Sequence, residues 1–496
     1  MSRRLGLALV AVAAAGALAA AAGIPVRASE HARTTGDEPH YLVTALSLAE
    51  DGDLDVSDEL AQDRYRPFHE IRLGPQARPR PDGLLVEPHE PLLPALLAAP
   101  MAAAGWPGAK AALALLAGAL TAVLLWTAVA RLGVPLRRAF PVVLVFAVSA
   151  PFAVYGQQVY PELPAALAVT VAVAALLGPL GRGSLAAFSV ALVALPWLST
   201  KYAVLSAALV ALALARLLAE RRRREALVLG GWLALGAGTF LAAHHGLYGG
   251  WTPYAAGEHF TGGELSVVGS DPDYGGRSLR LLGLLVDREF GLIAWQPAWL
   301  LAVPALAALA RARPLGWATL VLPLAAGWVV ATWLAATMHG WWWPGRHVVA
   351  VLPLAVLALA WWAGRSLGRT AATVALGALG VLTYTWTTAE GWLGELDWVV
   401  DFAQTENPVY ALWREALPDY TELDGRTWAL HGAWIAVLLG LAILGRLGSR
   451  KSTTEPITMA TWSASSPSSR PLSRSRPQRT PHRWSAWIPG TRAPPT

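Results

Sequence analysis

The run Thr35-Gly36-Asp37-Glu38-Pro39-His40-Tyr41 sets two adjacent carboxylates, an imidazole and a phenol at the head of an apolar stripe. The stripe (Leu42, Ala45, Leu46, Ala49) has the spacing of one helix face and ends at Glu50-Asp51-Gly52-Asp53. Asp37 fits two roles there. Its carboxylate can accept backbone N–H bonds as an N-cap before Pro39, or, held in position, it can take a proton from a hydroxyl. A second polar cluster, Glu87-Pro88-His89-Glu90-Pro91, combines carboxylates and an imidazole with prolines that mark a turn and a helix start. A third, Tyr155-Gly156-Gln157-Gln158-Val159-Tyr160-Pro161-Glu162, puts Glu162 in the first turn of an apolar run, where the helix dipole alone favours an acid.

Three basic positions complete the set. Lys201, in Leu195-Pro196-Trp197-Leu198-Ser199-Thr200-Lys201-Tyr202, is the only lysine between positions 110 and 451. It suits snorkelling to a lipid phosphate or holding an anionic substrate. Arg288, in Asp287-Arg288-Glu289, fits a local ion pair of small energetic consequence. Arg346 lies in Met338-His339-Gly340-Trp341-Trp342-Trp343-Pro344-Gly345-Arg346-His347. The three tryptophans read as an aromatic belt, and an arginine in a turn bent by glycine and proline suits a phosphate or a sugar ring.

The elements that must carry these residues are membrane helices. Of 496 residues, 55% are hydrophobic and only 15% charged, with mean hydropathy +0.42. A soluble domain carries about 25% charged residues, so a cytosolic enzyme or a simple secreted domain is excluded. The absence of cysteine removes disulfides, thiol chemistry and thiolate-ligated metals. Spanning the hydrocarbon core takes roughly 20 apolar residues. Windows near 5–24, 109–130, 139–155, 161–180, 185–199, 200–218, 226–245, 291–310, 314–336, 347–363, 371–389 and 428–446 meet or approach that length. The expected fold is all-α, a polytopic bundle of about twelve transmembrane helices, with the short stretch 91–105 lying in the interface. The first span also fits a cleaved signal peptide, since Arg3-Arg4 precede it, but its apolar run is longer than the usual h-region of roughly 7–15 residues.

With the N-terminus inside, the cytoplasmic segments hold 24 of 39 Lys and Arg, and the outer segments hold 30 of 33 acids. The net charge of +6 is therefore a topology signal, and no nucleic-acid partner is expected. The organisation expected is a first transmembrane anchor (1–24), an outer loop with two juxtamembrane helices (25–108), a bundle (109–448) with outer loops at 246–290 and 390–427, and a disordered basic tail (449–496). Both termini are expected in the cytoplasm of a multi-pass cell-membrane protein, with membrane lipids as partners. Charge within the bilayer is costly, and every polar cluster above falls at one face.

The order of these motifs resembles the GT-C superfamily of integral membrane glycosyltransferases, which includes the protein mannosyltransferases and the lipid A aminoarabinose transferases. The similarity rests on an N-terminal span, Asp37-Glu38 with Tyr41 at the head of a juxtamembrane helix, Gly52-Asp53, a second interfacial helix opened by Glu90-Pro91, and later loops bearing Glu162 and Arg346. It covers roughly 30–445 and is specific mainly in 35–105. It implies inverting transfer of a sugar from a polyprenyl-phosphate donor to an extracytoplasmic glycan, lipid or protein of the envelope. Asp37 would be the base, with Glu38 beside it, and Arg346, Lys201 and Arg288 would stabilise the departing phosphate. His40, Tyr41, His89, Glu90, Glu162 and His339 would line the substrate site. One departure stands out: relatives have Glu-Lys-Pro where this chain has His89-Glu90-Pro91, so that lysine's phosphate contact is absent or supplied from elsewhere. The soluble C-terminal domain of some relatives is expected to be missing. No tightly bound cofactor or metal is expected, although His89, His339 and Asp37 form a conceivable divalent-metal trio. A transporter or flippase of lipid-linked glycans is the alternative, but such proteins place sites near the midplane on repeated, broken helices, and no internal repeat is visible. A non-enzymatic envelope assembly protein is a third class, in which every outer carboxylate would be dispensable.

Overall fold

The computed structural model describes residues 2–252, 255–261 and 272–448, so the expected tail at 449–496 lies outside the described residues. Among the described residues there is no β-strand, only isolated bridges. Seven helices are long and apolar enough to cross a membrane: Arg3–Ala22, Leu92–Ala130, Thr200–Ala219, Arg223–Tyr248, Trp317–Leu334, Leu367–Leu393 and Gly425–Leu447. Four shorter apolar helices accompany them, Glu162–Leu176, Arg182–Leu198, Pro297–Ala312 and Leu352–Ala363. The chain is a multi-pass, all-helical membrane protein.

Five of the twelve windows fall short of a full span: 161–180 and 185–199 hold the shorter helices Glu162–Leu176 and Arg182–Leu198, and three others are broken or shortened, each for a local reason. The 139–155 window breaks into Leu136–Ala147 and the single turn Phe152–Tyr155. Pro151 supplies no N–H and steers the residue before it away from the helical region. The 291–310 window starts as the turn Leu292–Trp295 and becomes helical again only from Pro297. In the 347–363 window the helix begins at Leu352, because the preceding residues form the turn that carries Arg346.

Helix α1 (Arg3–Ala22) is followed by α2 (Glu38–Glu50) and the short α3 (Ser57–Ala61). Helix α4 (Leu92–Ala130) is two helices joined at Ala104 and Gly105. Gly105, at φ 64 and ψ −160, occupies a backbone region that glycine alone enters cheaply. The bend separates the stretch after Pro91 from the long apolar run after it, and α1 packs along that run. Thr121 Oγ1 donates to Val12 O at 3.1 Å across the seam, the kind of polar contact that joins helices in lipid. Helices α5 (Leu136–Ala147), α6 (Phe152–Tyr155), α7 (Glu162–Leu176), α8 (Arg182–Leu198), α9 (Ala203–Ala219) and α10 (Arg223–Tyr248) follow.

The segment between α1 and α4 is tied down by side chains. Glu70 takes Arg27 at 3.0 Å and Arg33 at 2.9 Å, and the Thr34 hydroxyl donates to Phe68 O at 2.8 Å. Near α3, the Arg64 guanidinium sits among the carboxylates of Glu50, Asp51, Asp58 and the buried Glu59.

Candidate active site

Asp37 occupies the N-cap position of α2, yet its side chain makes no capping bond. Its Oδ2 instead accepts from Arg346 Nη2 at 2.6 Å. The capping role that local sequence allowed is thus not the one the carboxylate takes. The backbone there is set by Gly36 at φ +61, where a Cβ would stand 2.8 Å from the Tyr160 hydroxyl. That hydroxyl donates to Thr35 O at 3.1 Å, so the turn holding Asp37 is braced from the segment before α7.

Arg346 comes from the turn after the span Trp317–Leu334, whose last residues, Val330–Leu334, widen into a π turn. Such turns recur at functional sites. Its guanidinium lies between two rings, 4.2 Å from the Tyr160 centroid and 4.9 Å from that of Trp342. Its Nε donates to Glu162 Oε1 at 3.2 Å, and the same oxygen receives Lys201 Nζ at 2.7 Å. The buried Glu162 Oε2 has no hydrogen-bond partner. Lys201 is presented by the turn Thr200–Tyr202 that joins α8 to α9. Two carboxylates and two cations therefore form one chain, Asp37–Arg346–Glu162–Lys201.

These groups border a cavity of about 230 Å³, whose lining includes Asp37, Tyr41, His89, Glu90, Thr200, Lys201, Arg346 and His347. The Asp37 side chain is 29% accessible, so it faces this space. Burial alone would raise its pKa, but the Arg346 charge, with lesser help from His89 and His40, holds it well below the usual carboxylate range. Burial drives the Tyr41 phenol up, and Asp37 and Glu162 push it further, so Tyr41 stays a neutral donor. Burial lowers the pKa of the His89 imidazole against the pull of Asp37 and Glu87; its ring centroid lies 4.7 Å from that of Tyr41, and its Nε2 is 2.6 Å from Gln76 Oε1.

The cavity's far wall is clasped by α10. His244 Nε2 is 3.0 Å from Glu90 Oε2, the Thr200 hydroxyl donates to Glu90 Oε1, and the Tyr248 hydroxyl donates to Glu87 O at 3.0 Å. His40 Nδ1 lies 2.9 Å from Glu87 Oε1, behind the lining. Glu38 points away from the cavity. Its Oε1 takes Lys110 Nζ at 2.8 Å and the Val159 N–H at 3.0 Å, all buried.

Asp37, Tyr41, His89, Glu90, Glu162, Lys201 and Arg346 are thus brought together, with His40 one layer behind. Arg288 and His339 are not. Arg288 pairs with Asp419 at 3.3 Å, and His339 Nε2 faces Asp287 Oδ2 at 3.5 Å. The trio of His89, His339 and Asp37 is corrected accordingly, since His339 is not among the cavity's lining residues. Arg288 is likewise absent from the wall where a phosphate contact was expected, because its partners are on the segment before Gly425–Leu447. Lys110, His244 and His347 were not singled out by sequence. For Lys110 the signal was present: a lone lysine at the head of an apolar run.

No family model matches the chain, and no curated protein matches its sequence. The chain is similar in structure to the crystal structure of ArnT from Cupriavidus metallidurans bound to undecaprenyl phosphate, at 16% identity and a TM-score of 0.48, over 90% of this chain and 73% of that one.

Proposed function

We propose that the protein is a membrane glycosyltransferase that moves a sugar from a polyprenyl-phosphate donor to an acceptor hydroxyl outside the cytoplasm, with inversion and with Asp37 as base. The observation that carries this reading is the joint exposure of Asp37, Arg346 and Lys201 to one cavity. A carboxylate beside two cations is what such a reaction needs. Asp37 takes the acceptor proton, the freed oxygen attacks the anomeric carbon from the face opposite the phosphate, and the C–O bond to the phosphate breaks. The electron pair leaves on the lipid phosphate, where Arg346 and Lys201 offset the growing charge. The resemblance of the 35–105 motifs to the GT-C superfamily points the same way.

The resting pair also suits the order of events. While Arg346 holds Asp37, the carboxylate is a weak base. A donor phosphate that draws the guanidinium toward itself raises the basicity of Asp37 when a substrate is present. A lipid-tailed donor is further supported by an apolar groove of about 300 Å³ between α8, α9 and α10, because Thr200 lines both that groove and the cavity. The topology of charge, with acids gathered on this side, supports an extracytoplasmic site.

The test is transfer of labelled sugar from a polyprenyl-phosphate donor in membranes carrying the protein or its Asp37→Asn variant. Transfer by the protein with at least a hundredfold loss in the variant is expected; wild-type transfer by Asp37→Asn would remove Asp37 from the base role. Translocation of a lipid-linked glycan that persists in the transfer-dead variant would favour the flippase reading instead.

A further inference from the structure

Helices α8 and α10 leave the active cavity together and end in a second feature. Lys201 follows the C-terminal end of α8, and His244 lies in the last turns of α10, so both helices reach the active cavity at that end. Their opposite ends begin at Arg182 and Arg223, about 25 Å away at 1.5 Å per residue over α8. Between those beginnings lies a groove of about 560 Å³. Its mouth carries Arg182, Arg222 and Arg224 against the single acid Glu225. Apart from Ser189 the rest of its lining is apolar, and it includes the large exposed side chains Val190, Val228 and Trp232 at 64%, 66% and 48% accessibility.

The three arginines are not equivalent. Arg222 is already engaged, donating to Leu180 O at 2.7 Å, Glu225 at 3.2 Å and Glu220 at 3.4 Å, and so serves to fix the rim. Arg182 and Arg224 are exposed at the mouth, with only Glu225 near Arg224 to offset them. A groove cationic at its mouth and apolar along its depth, on two apolar helices of a membrane protein, is complementary to one kind of molecule. That molecule has an anionic head at the membrane surface and hydrocarbon chains running along the helices.

We infer that the α8–α10 groove is a binding site for an anionic glycerophospholipid. Its phosphate is held by Arg182 and Arg224, and its acyl chains lie on Val190, Val228 and Trp232. The site is separate from the active cavity and does not depend on the reaction proposed for it. By the distribution of basic residues, its mouth opens to the cytoplasmic leaflet.

The experiment is native mass spectrometry of the full chain offered phosphatidylglycerol and phosphatidylcholine at equal concentration, with inorganic phosphate as competitor. Preferential retention of phosphatidylglycerol, unmoved by millimolar phosphate, is expected. The Arg182→Ala/Arg224→Ala variant should lose roughly 30-fold in that affinity, which is about 1 kcal/mol per arginine near a membrane surface converted at 1.4 kcal/mol per tenfold. Arg3→Ala/Arg4→Ala, which removes two exposed arginines elsewhere, should retain it. Thermal unfolding in phosphatidylcholine nanodiscs checks that the variant folds. Should it not, Val228→Trp fills the groove without altering charge and should lower retention in the same way. Equal retention of the two lipids, displacement by inorganic phosphate, or unchanged retention in a folded Arg182→Ala/Arg224→Ala protein or in Val228→Trp would each overturn the assignment.

Discussion

Arg346 Nη2 and Asp37 Oδ2 stand 2.6 Å apart although 309 positions separate them in the chain. The pair joins the first polar segment to the turn behind the π-ended span, and Glu162 and Lys201 extend it on the far side.

Asp37→Asn keeps the shape of the side chain but turns one acceptor oxygen into a donor and removes the proton acceptor. A positioned general base contributes about 10²- to 10⁴-fold, so kcat for sugar transfer should fall by that factor with little change in KM for the donor. Steady-state transfer with a radiolabelled donor reads both constants.

Arg346→Gln should act on rate and on pH together. The arginine is the main force lowering the Asp37 pKa against burial, so its loss raises that pKa. The base must be ionised to work, and activity is lost as pH falls through its pKa. The acidic limb of the rate profile should therefore move to higher pH, on top of a loss of about 10²- to 10³-fold from the missing phosphate contact. A profile of kcat/KM against pH for both proteins checks the direction; a limb that stays in place would show that the guanidinium does not govern this carboxylate.

Lys110 and Glu38 form an ion pair in which each side chain is only 2% accessible. Truncating one partner of such a pair strands the other and costs about 3–5 kcal/mol. Lys110→Met alone should thus lower the thermal unfolding temperature markedly, whereas Lys110→Met with Glu38→Gln should recover much of the loss. Unfolding curves in detergent for the two single variants and the double variant give the coupling directly.

Glu59 supplies a pH test of stability away from the cavity. Burial, reinforced by the nearby acids Asp58 and Asp51, pushes its carboxyl up from the ordinary 4.5 to about 8. The unfolded chain then ionises Glu59 at lower pH than the folded protein does. Folding is penalised progressively as pH rises from about 4.5 to about 8, with no penalty below that window. The unfolding temperature of the protein should fall across the window more steeply than that of Glu59→Gln.

Much of this arrangement is legible in the amino-acid sequence. Asp37, Glu90, Glu162, Lys201 and Arg346 each stood out as polar groups bordering apolar runs, where the bilayer makes charge too costly to keep without use. What sequence could not supply was pairing. Nothing in Asp287-Arg288-Glu289 reveals that Arg288 turns to Asp419 rather than to the cavity. Nothing adjacent to Asp37 distinguishes a cap from a partner of Arg346, because capping is decided by neighbours three residues away and the ion pair by tertiary packing. Glu38 shows the same limit. Next to Asp37 in sequence, it looks toward Lys110, since successive residues entering a helix point about 100° apart. Helix existence was the easier inference and helix length the harder one, with Pro151 and the turn around Gly345 cutting short two windows that hydropathy had left whole.

The tight fit of Gly36 against the Tyr160 hydroxyl exposes the protein to a particular kind of genetic damage. One nucleotide change that adds a single methyl group at position 36 would leave every charged and reacting atom chemically intact, yet shift the carboxylate that follows. Inventories of reactive side chains would miss such an allele, whereas a survey of inactive variants would find it at a residue with no side chain of its own.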